Sequence, residues 1–347
     1  MAEPWSPLHL RLHRQLLQKP DLLPAGAPLL VAVSGGQDSM ALLALLRDLR
    51  RLHHWSLQLW HGDHGWRAGS AEQARSLEHW VRSQGLALHV DRWESPRPSE
   101  AAARQWRYGR LAEVAHKLGC NHVVTGHTAS DRAETLLLQL ARGSHRRGLA
   151  SLRSRRPLNR EHGQVTLVRP LLGFSRQETG SLCEQAQLPV WVDPSNDDQR
   201  YSRNRLRLAV LPVLEELHPG AALRISALGE RLAEEQACSD QLVDLSLQGL
   251  GGTEGSGRAF LKRRELMALA QGNQRLLLQR WLERQQAAPN HAGILDALLQ
   301  QLALERGPGQ AALSGPTWLH WDRHQIWLER MTGPDDSTNP APDLNQA

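Results

Sequence analysis

Residues 29–40 read LLVAVSGGQDSM, an apolar run followed by two glycines, an aspartate and two serines, with no lysine. No other stretch of the chain restricts its fold as strongly. The run is a buried strand if an amphipathic helix follows the turn, and Met40, Leu42, Leu43, Leu46 and Leu49 give that helix an apolar side. A strand that enters a glycine turn and opens a helix presents backbone N–H groups without helical partners, and the positive helix end adds to their attraction for phosphate. Gly35 and Gly36 let a ligand approach the backbone, while Ser34 and Ser39 supply hydroxyl donors. Asp38 makes sense beside phosphates where it meets a magnesium ion or an incoming cation. A Walker-type loop is excluded because no G-K-S/T follows. An N-capped turn with a tight bend is the purely structural reading, and the complete hexad between strand and helix weighs against it.

The alternation continues downstream. Apolar strand candidates stand at 29–33, 56–61, 86–90 and 121–126, with helical patterns at 38–50, 71–84, 99–119 and 131–141. This spacing predicts a doubly wound, mainly parallel α/β sheet, whose ligands sit at the carboxyl ends of the strands. From about residue 215 helical stretches dominate, over 221–249, 261–284 and 291–304, and AALSGPTWLHWDRHQIWLER reads as a short two-stranded finish. The expected organisation is a catalytic α/β domain over 1–215 and a smaller, mostly helical domain over 216–331. A disordered tail is expected over 332–347, because TGPDDSTNPAPDLNQA is too polar and proline-rich to pack.

The net charge of +5 comes almost wholly from arginine, since Lys19, Lys117 and Lys262 are the only lysines. Residues 142–160 hold Arg142, Arg146, Arg147, Arg153, Arg155, Arg156 and Arg160 with no acid, and Arg200, Arg203, Arg205 and Arg207 follow. Such clusters suit a polyanion, with guanidinium forks matching phosphate oxygens. A solvated loop is the alternative this feature alone leaves open. No apolar run approaches the roughly 18 residues that span a bilayer, and the N-terminus has histidines and arginines where a signal peptide needs an apolar centre. A cytoplasmic protein without a membrane partner is expected. Cys120, Cys183 and Cys238 are odd in number and form no C-x-x-C, which argues against a disulfide framework and a zinc site and predicts small buried side chains.

S-G-G-x-D-S resembles the signature of the PP-loop ATP pyrophosphatases. In that resemblance the bond broken is at the α-phosphate, so the β and γ phosphates leave together and no Walker lysine is needed. Further motifs are similar to those of the tRNA(Ile)-lysidine synthases, in order over roughly residues 25–215. They comprise His61, Asp63, His64, Gly65 and Arg67 in HGDHGWR, then Glu100, Ala103, Arg104, Arg107 and Tyr108 in EAAARQWRY, then GHTASDRAET at 126–135. Leu140-Ala141-Arg142-Gly143 with Gly148-Leu149, Arg169-Pro170-Leu171-Leu172 and WVDPSNDDQRYSRNRLR complete the series. One position departs from it, Ser130 standing where the family often has the first of two aspartates.

The resemblance implies an enzyme that adenylates the C2 carbonyl oxygen of the wobble cytidine in a CAU-anticodon tRNA(Ile). The ε-amine of free lysine then displaces AMP to form lysidine. ATP and Mg2+ are the implied cofactors, with Ser34, Gly35, Gly36, Gln37, Asp38 and Ser39 binding ATP and Asp38 also holding magnesium. Asp131 and Glu134, three residues apart on one helix face, become candidate lysine ligands. His127 would contact phosphate or manage the amine's proton, and Arg107 would neutralise the α-phosphate. His61 and His64 fall to the nucleotide pocket or the tRNA-facing rim. Arg142, Arg146, Arg147, Arg153, Arg155, Arg156, Arg203 and Arg207 would bind tRNA phosphates. The sequence leaves a homodimer open. A tRNA-thiolating relative lacks support for want of paired cysteines, and a small-metabolite ligase fits the arginine clusters poorly. A non-catalytic nucleotide- or RNA-binding module would have no use for Asp38, Arg107, Asp131 and Glu134 together.

Overall fold

The computed structural model describes residues 5–65, 69–94, 99–144, 146–158, 165–191, 198–287, 292–303, 307–313 and 316–330. The chain divides into two compact units, Met1–Gln236 and Ala237–Ala347. The first therefore runs past residue 215, where Leu211 and Ala222 pack on Ala133 in a small buried cluster.

The first unit opens with α1 (Pro7–Gln18), β1 (Pro28–Ala32), α2 (Gln37–His53) and β2 (Ser56–Asp63). It continues through α3 (Ser70–Ser83), β3 (Leu88–Arg92), α4 (Glu100–Lys117), β4 (His122–Thr125) and α5 (Ala129–Ala141). Then come α6 (Arg146–Leu149), β5 (Arg155–Pro157), β6 (Thr166–Val168), α7 (Arg176–Gln185) and α8 (Ser202–Arg205). A π-helical turn over Leu206–Val210 joins α8 to α9 (Leu211–Leu217). Among the described residues six strands form one sheet in the order β3-β2-β1-β4-β6-β5. Its pairs are parallel except β5 with β6.

The central strand β1 is buried on both faces, as a doubly wound fold requires. Leu29 and Val31 of β1 face one core with α1, α2 and α7, and Leu30 faces a second core with Trp60, Leu111 and Val123. The four expected strands and helices of the first half are present within a few residues. β5, β6 and α7 escaped the sequence reading. β5 and β6 are three residues each, too short to show a period, and β5 lies inside the arginine run.

In the second unit, α10 (Ala221–Leu250) enters from the first and β7 (Gly251–Thr253), β8 (Ala259–Lys262), α11 (Arg263–Met267), α12 (Gln271–Arg284) and α13 (Ala292–Gln301) follow. β9 (Gly309–Ala312), β10 (Thr317–Trp321) and β11 (Gln325–Arg330) complete an antiparallel sheet ordered β7-β8-β11-β10-β9. The expected helix over 261–284 thus begins as a strand, and the finish has three strands rather than two. Leu261, Leu278, Leu302, Leu319 and Ile326 are fully buried between helices and sheet. Arg263 is buried with them and donates to the carbonyls of Leu302, Ala303 and Asp322, tying the end of α13 to the turn before β11.

Cys120 and Cys183 are buried as expected, but Cys238 is exposed on α10. The expected tail at 332–347 lies outside the described residues. Among those residues no helix is long and apolar enough to cross a membrane.

One close approach sets the end of β4 against the start of α2. A methyl group on Gly126, just beyond β4, would lie 2.7 Å from the Asp38 carbonyl oxygen and 3.0 Å from Ser39 Cα, so glycine lets β4 end against the first turn of α2. Gly126→Ala is expected to destabilise the protein by about 1–3 kcal/mol through overpacking, read as a lowered urea midpoint. Gly109→Ala within α4, where nothing stands within 4 Å, is the matched control and should be neutral or mildly stabilising.

Candidate active site

The loop after β1 closes on itself before α2 begins. Ser39 Oγ accepts from Ser34 N–H at 3.2 Å, lies 3.0 Å from Ser34 Oγ and donates to the Gly36 carbonyl at 2.8 Å. Gly35 sits at φ +83°, and a side chain there would meet Trp191 at 3.1 Å and Gln73 at 3.2 Å. Glycine is needed on both counts. Gly36 is the N-cap of α2 and has no capping side chain, leaving first-turn N–H groups for a ligand.

Gln37 and Asp38 turn toward α7. Gln37 Nε2 donates to the Arg176 carbonyl at 2.6 Å and to Thr179 Oγ1 at 3.0 Å, which makes Gln37 a packing residue of the loop. Asp38 Oδ2 accepts from Arg176 Nη1 at 3.0 Å and Oδ1 from the Thr179 hydroxyl at 2.5 Å. Burial raises the Asp38 carboxyl above its ordinary range, Arg176 and Thr179 pull against it, and nearby Asp131 adds to the rise. Arg176 and Thr179 were not singled out from the sequence. The available signal was Ser175 three residues before Glu178, which forms a capping box and starts α7.

The second half of the site comes from α5. Asp131 Oδ2 accepts from the Thr128 N–H at 2.8 Å, capping the helix, and Oδ1 faces Arg203 Nη2 at 2.9 Å and Arg207 Nη2 at 3.4 Å. Glu134, with a fully buried side chain, binds Arg203 Nε and Arg207 Nε, each at 2.7 Å. Burial opposes ionisation of Asp131, but Arg203, the Thr128 N–H and Arg207 hold the carboxyl below its ordinary range. Arg203 and Arg207, expected among the tRNA-facing arginines, are therefore ion-paired with the acids. Asp38 feels both Asp131 and Arg207, and the close approach of Gly126 to Asp38 sets the glycine loop beside the start of α5.

His127 Nδ1 lies 2.9 Å from Thr125 Oγ1. Burial pushes its pKa well below the ordinary value, against the pull of Asp131, and Arg169, Arg203 and Arg104 reinforce that fall. The imidazole is neutral at physiological pH. Three cations assemble around Tyr108: Arg104 and Arg156 each lie 4.9 Å from its ring centre, and Arg169 Nη2 is 3.5 Å from its hydroxyl. Arg169, fully buried after β6, donates to the Arg153 carbonyl at 2.8 Å, and burial lowers its pKa to about 10.

Arg107 points elsewhere, to His64 Nε2 at 3.3 Å, beside Trp106, whose ring centre lies 5.1 Å from that of His64. His61 is buried and its Nδ1–H donates to the Val33 carbonyl at 2.8 Å, which leaves Nε2 as the acceptor. Asp63 Oδ1 accepts the Gly65 N–H at 2.9 Å, shaping the turn after β2. Arg142, Arg147 and Arg155 are exposed, Arg153 is half-buried, and Arg146 forms an exposed pair with Glu235 at 2.7 Å. Arg67 and residues 192–197 of the last motif lie outside the described residues.

The carboxyl of Asp38 offers a direct check on this geometry. Thr179→Val removes a donor that favours the ionised form, so the Asp38 carboxyl should titrate at a higher pH than in the wild type. Carbon NMR of labelled aspartate would read this as an upward-shifted midpoint; an unchanged midpoint would mean that the hydroxyl does not act on Asp38.

Residues 9–214 match the family model of the PP-loop domain. The chain is 49% identical over 331 residues to a tRNA(Ile)-lysidine synthase from Parasynechococcus marenigrum, covering 95% of this chain and 96% of that one. It is 42% identical over 336 residues to a tRNA(Ile)-lysidine synthase from Prochlorococcus marinus, covering 94% and 98%. Among solved structures, the U34-tRNA thiolase NcsA from Methanococcus maripaludis aligns with a TM-score of 0.54 over 65% of this chain and 79% of that one; at 18% identity it shows the fold alone. The family match contains the glycine loop, the α7 clamp and the acid pair, and the long relatives extend through the second unit. The chain belongs to the tRNA(Ile)-lysidine synthases of the PP-loop family.

Proposed function

We propose that this enzyme consumes ATP to adenylate the C2 carbonyl oxygen of the wobble cytidine in CAU-anticodon tRNA(Ile), and that the ε-amine of lysine then displaces AMP to leave lysidine. The observation that carries this reading is the closeness of two chemically different halves. One is a phosphate-binding helix start with an acid beside it, and the other is an acid pair at the start of α5 with a neutral imidazole next to it. The first half suits ATP and the second suits an amine.

In the first half, the backbone of Ser34 to Ser39 cradles the pyrophosphate leaving group. Each oxygen of Asp38 has one donor, from Arg176 or Thr179, and keeps capacity for a further partner. Among the described residues no group of three or more His, Cys, Asp or Glu is arranged to hold a metal, yet magnesium commonly takes one or two carboxylates together with substrate phosphates. Asp38 fits that mode and would hold the ion; bound there, it would neutralise charge on the departing pyrophosphate. Arg104 and Arg169, whose charges are felt at His127, suit the charge that builds on the α-phosphate. Arg107, directed at His64, would act from the rim.

In the second half, Asp131 and Glu134 serve as ligands for lysine. Neutral His127 can accept a hydrogen bond from the amine through a ring nitrogen as it attacks. The exposed arginines at 142–155 supply sequence-independent attraction for the anticodon stem-loop, whose wobble base must be unstacked to enter. A tRNA substrate accords with a cytoplasmic enzyme.

Asp131→Asn should raise the lysine requirement at least about tenfold while ATP-dependent pyrophosphate release on tRNA persists; an unchanged requirement would refute the ligand role. Replacing Arg153, Arg155 and Arg156 together with serine should weaken tRNA binding and flatten its salt dependence, as measured by filter binding across a salt series. Unaltered affinity and slope would leave that segment without a part in RNA binding.

A further inference from the structure

The acid pair has almost no room left for an amine. Glu134 Oε1 accepts from Arg207 Nε at 2.7 Å, and Oε2 accepts from Arg203 Nε at 2.7 Å and Arg207 Nη2 at 3.1 Å. Asp131 Oδ1 is shared by Arg203 at 2.9 Å and Arg207 at 3.4 Å. Its Oδ2 is taken by the N–H of Thr128 at 2.8 Å and the hydroxyl of Thr128 at 3.3 Å. Two guanidiniums already balance two carboxylates. A lysine ammonium entering here would meet two like charges and find its acceptors occupied, an arrangement that opposes binding in a partly desolvated site.

We propose that Arg203 and Arg207 hold the lysine ligands closed, and that a phosphate oxyanion of the other substrates draws them off and opens the site to the amine. The inference rests on the reading of Asp131 and Glu134 as lysine ligands. Guanidinium forks match phosphate as well as carboxylate, so the exchange replaces one bidentate partner with another. Arg203 lies on α8 and Arg207 four residues later on the π-helical turn, which places both on one side of a single short segment that can shift as a unit. Their release frees Asp131 Oδ1 and both oxygens of Glu134. The N-cap of α5 survives the exchange, because Thr128 keeps Asp131 Oδ2. Arg207 already acts on Asp38, which puts it within electrostatic reach of the nucleotide loop. The device imposes an order in which the phosphate-bearing substrate binds before lysine, so the amine site forms only where there is something to attack. The anion's source is either the triphosphate of ATP or the backbone of the tRNA.

Equilibrium binding of radiolabelled lysine to the full chain tests this in three states: protein alone, with α,β-methylene ATP, and with CAU-anticodon tRNA(Ile). One of the two anions should tighten wild-type lysine binding about tenfold or more, within the usual range of coupling between sites, and which one does so identifies the source. Arg207→Met alone should bind lysine about as tightly as the loaded wild type and gain little from loading. Equal wild-type affinity in all three states, with Asp131→Asn still weakening lysine binding, overturns the gate and leaves the lysine-ligand reading intact. Tightening that persists undiminished in Arg207→Met also overturns the gate. If Asp131→Asn binds lysine as the wild type does in every state, the carboxylates are not lysine ligands and both readings fall.

Discussion

The contact between Gly126 and the first turn of α2 is the constraint on which the rest of the site depends. Two parallel strands, β1 and β4, end side by side, and each is followed by a loop that opens a helix. A side chain at Gly126 would force those helix starts apart. Because glycine stands there, the glycine-loop end of α2 and the acid-bearing end of α5 lie close together, and Asp38 feels the charge of Asp131. A doubly wound sheet places ligand sites at such strand ends in general; close backbone approach turns two adjacent ends into one site.

Charge within the site is arranged in three zones. Asp38 sits with Arg176 and Thr179 beside the glycine loop, Asp131 and Glu134 sit with Arg203 and Arg207, and Arg104, Arg156 and Arg169 gather on Tyr108. Among the described residues the third zone has an aromatic ring and carbonyls as its partners. His127 lies within the field of that zone and is kept neutral by it and by burial.

Much of this could be read from the chain before its fold was known, and what could not has a physical reason. The loop, the central strands and α5 carry strong local signals: an apolar run, paired glycines, and two acids at helical spacing. The side chains that complete the site come from distant positions, Arg176 and Thr179 being about 140 residues from Asp38 in sequence, and a linear pattern does not reveal which carboxylate a given arginine will meet. Arg203 and Arg207 show this most clearly. As a charge cluster they suggest a surface for RNA, whereas folding brings them onto Glu134, whose burial demands compensation. Arg107 and Arg104 show it on a smaller scale, since three positions along α4 separate a contact with His64 from one with Tyr108.

The central claim is that the two halves of the site join lysine to a nucleobase through an adenylated intermediate. Incubation of the purified protein with ATP, magnesium, radiolabelled lysine and CAU-anticodon tRNA(Ile), followed by base treatment to remove any aminoacyl ester, tests it most directly. The account predicts base-stable label on the tRNA that depends on ATP. Pyrophosphate release without such label would contradict it, leaving an adenylating loop that serves another nucleophile.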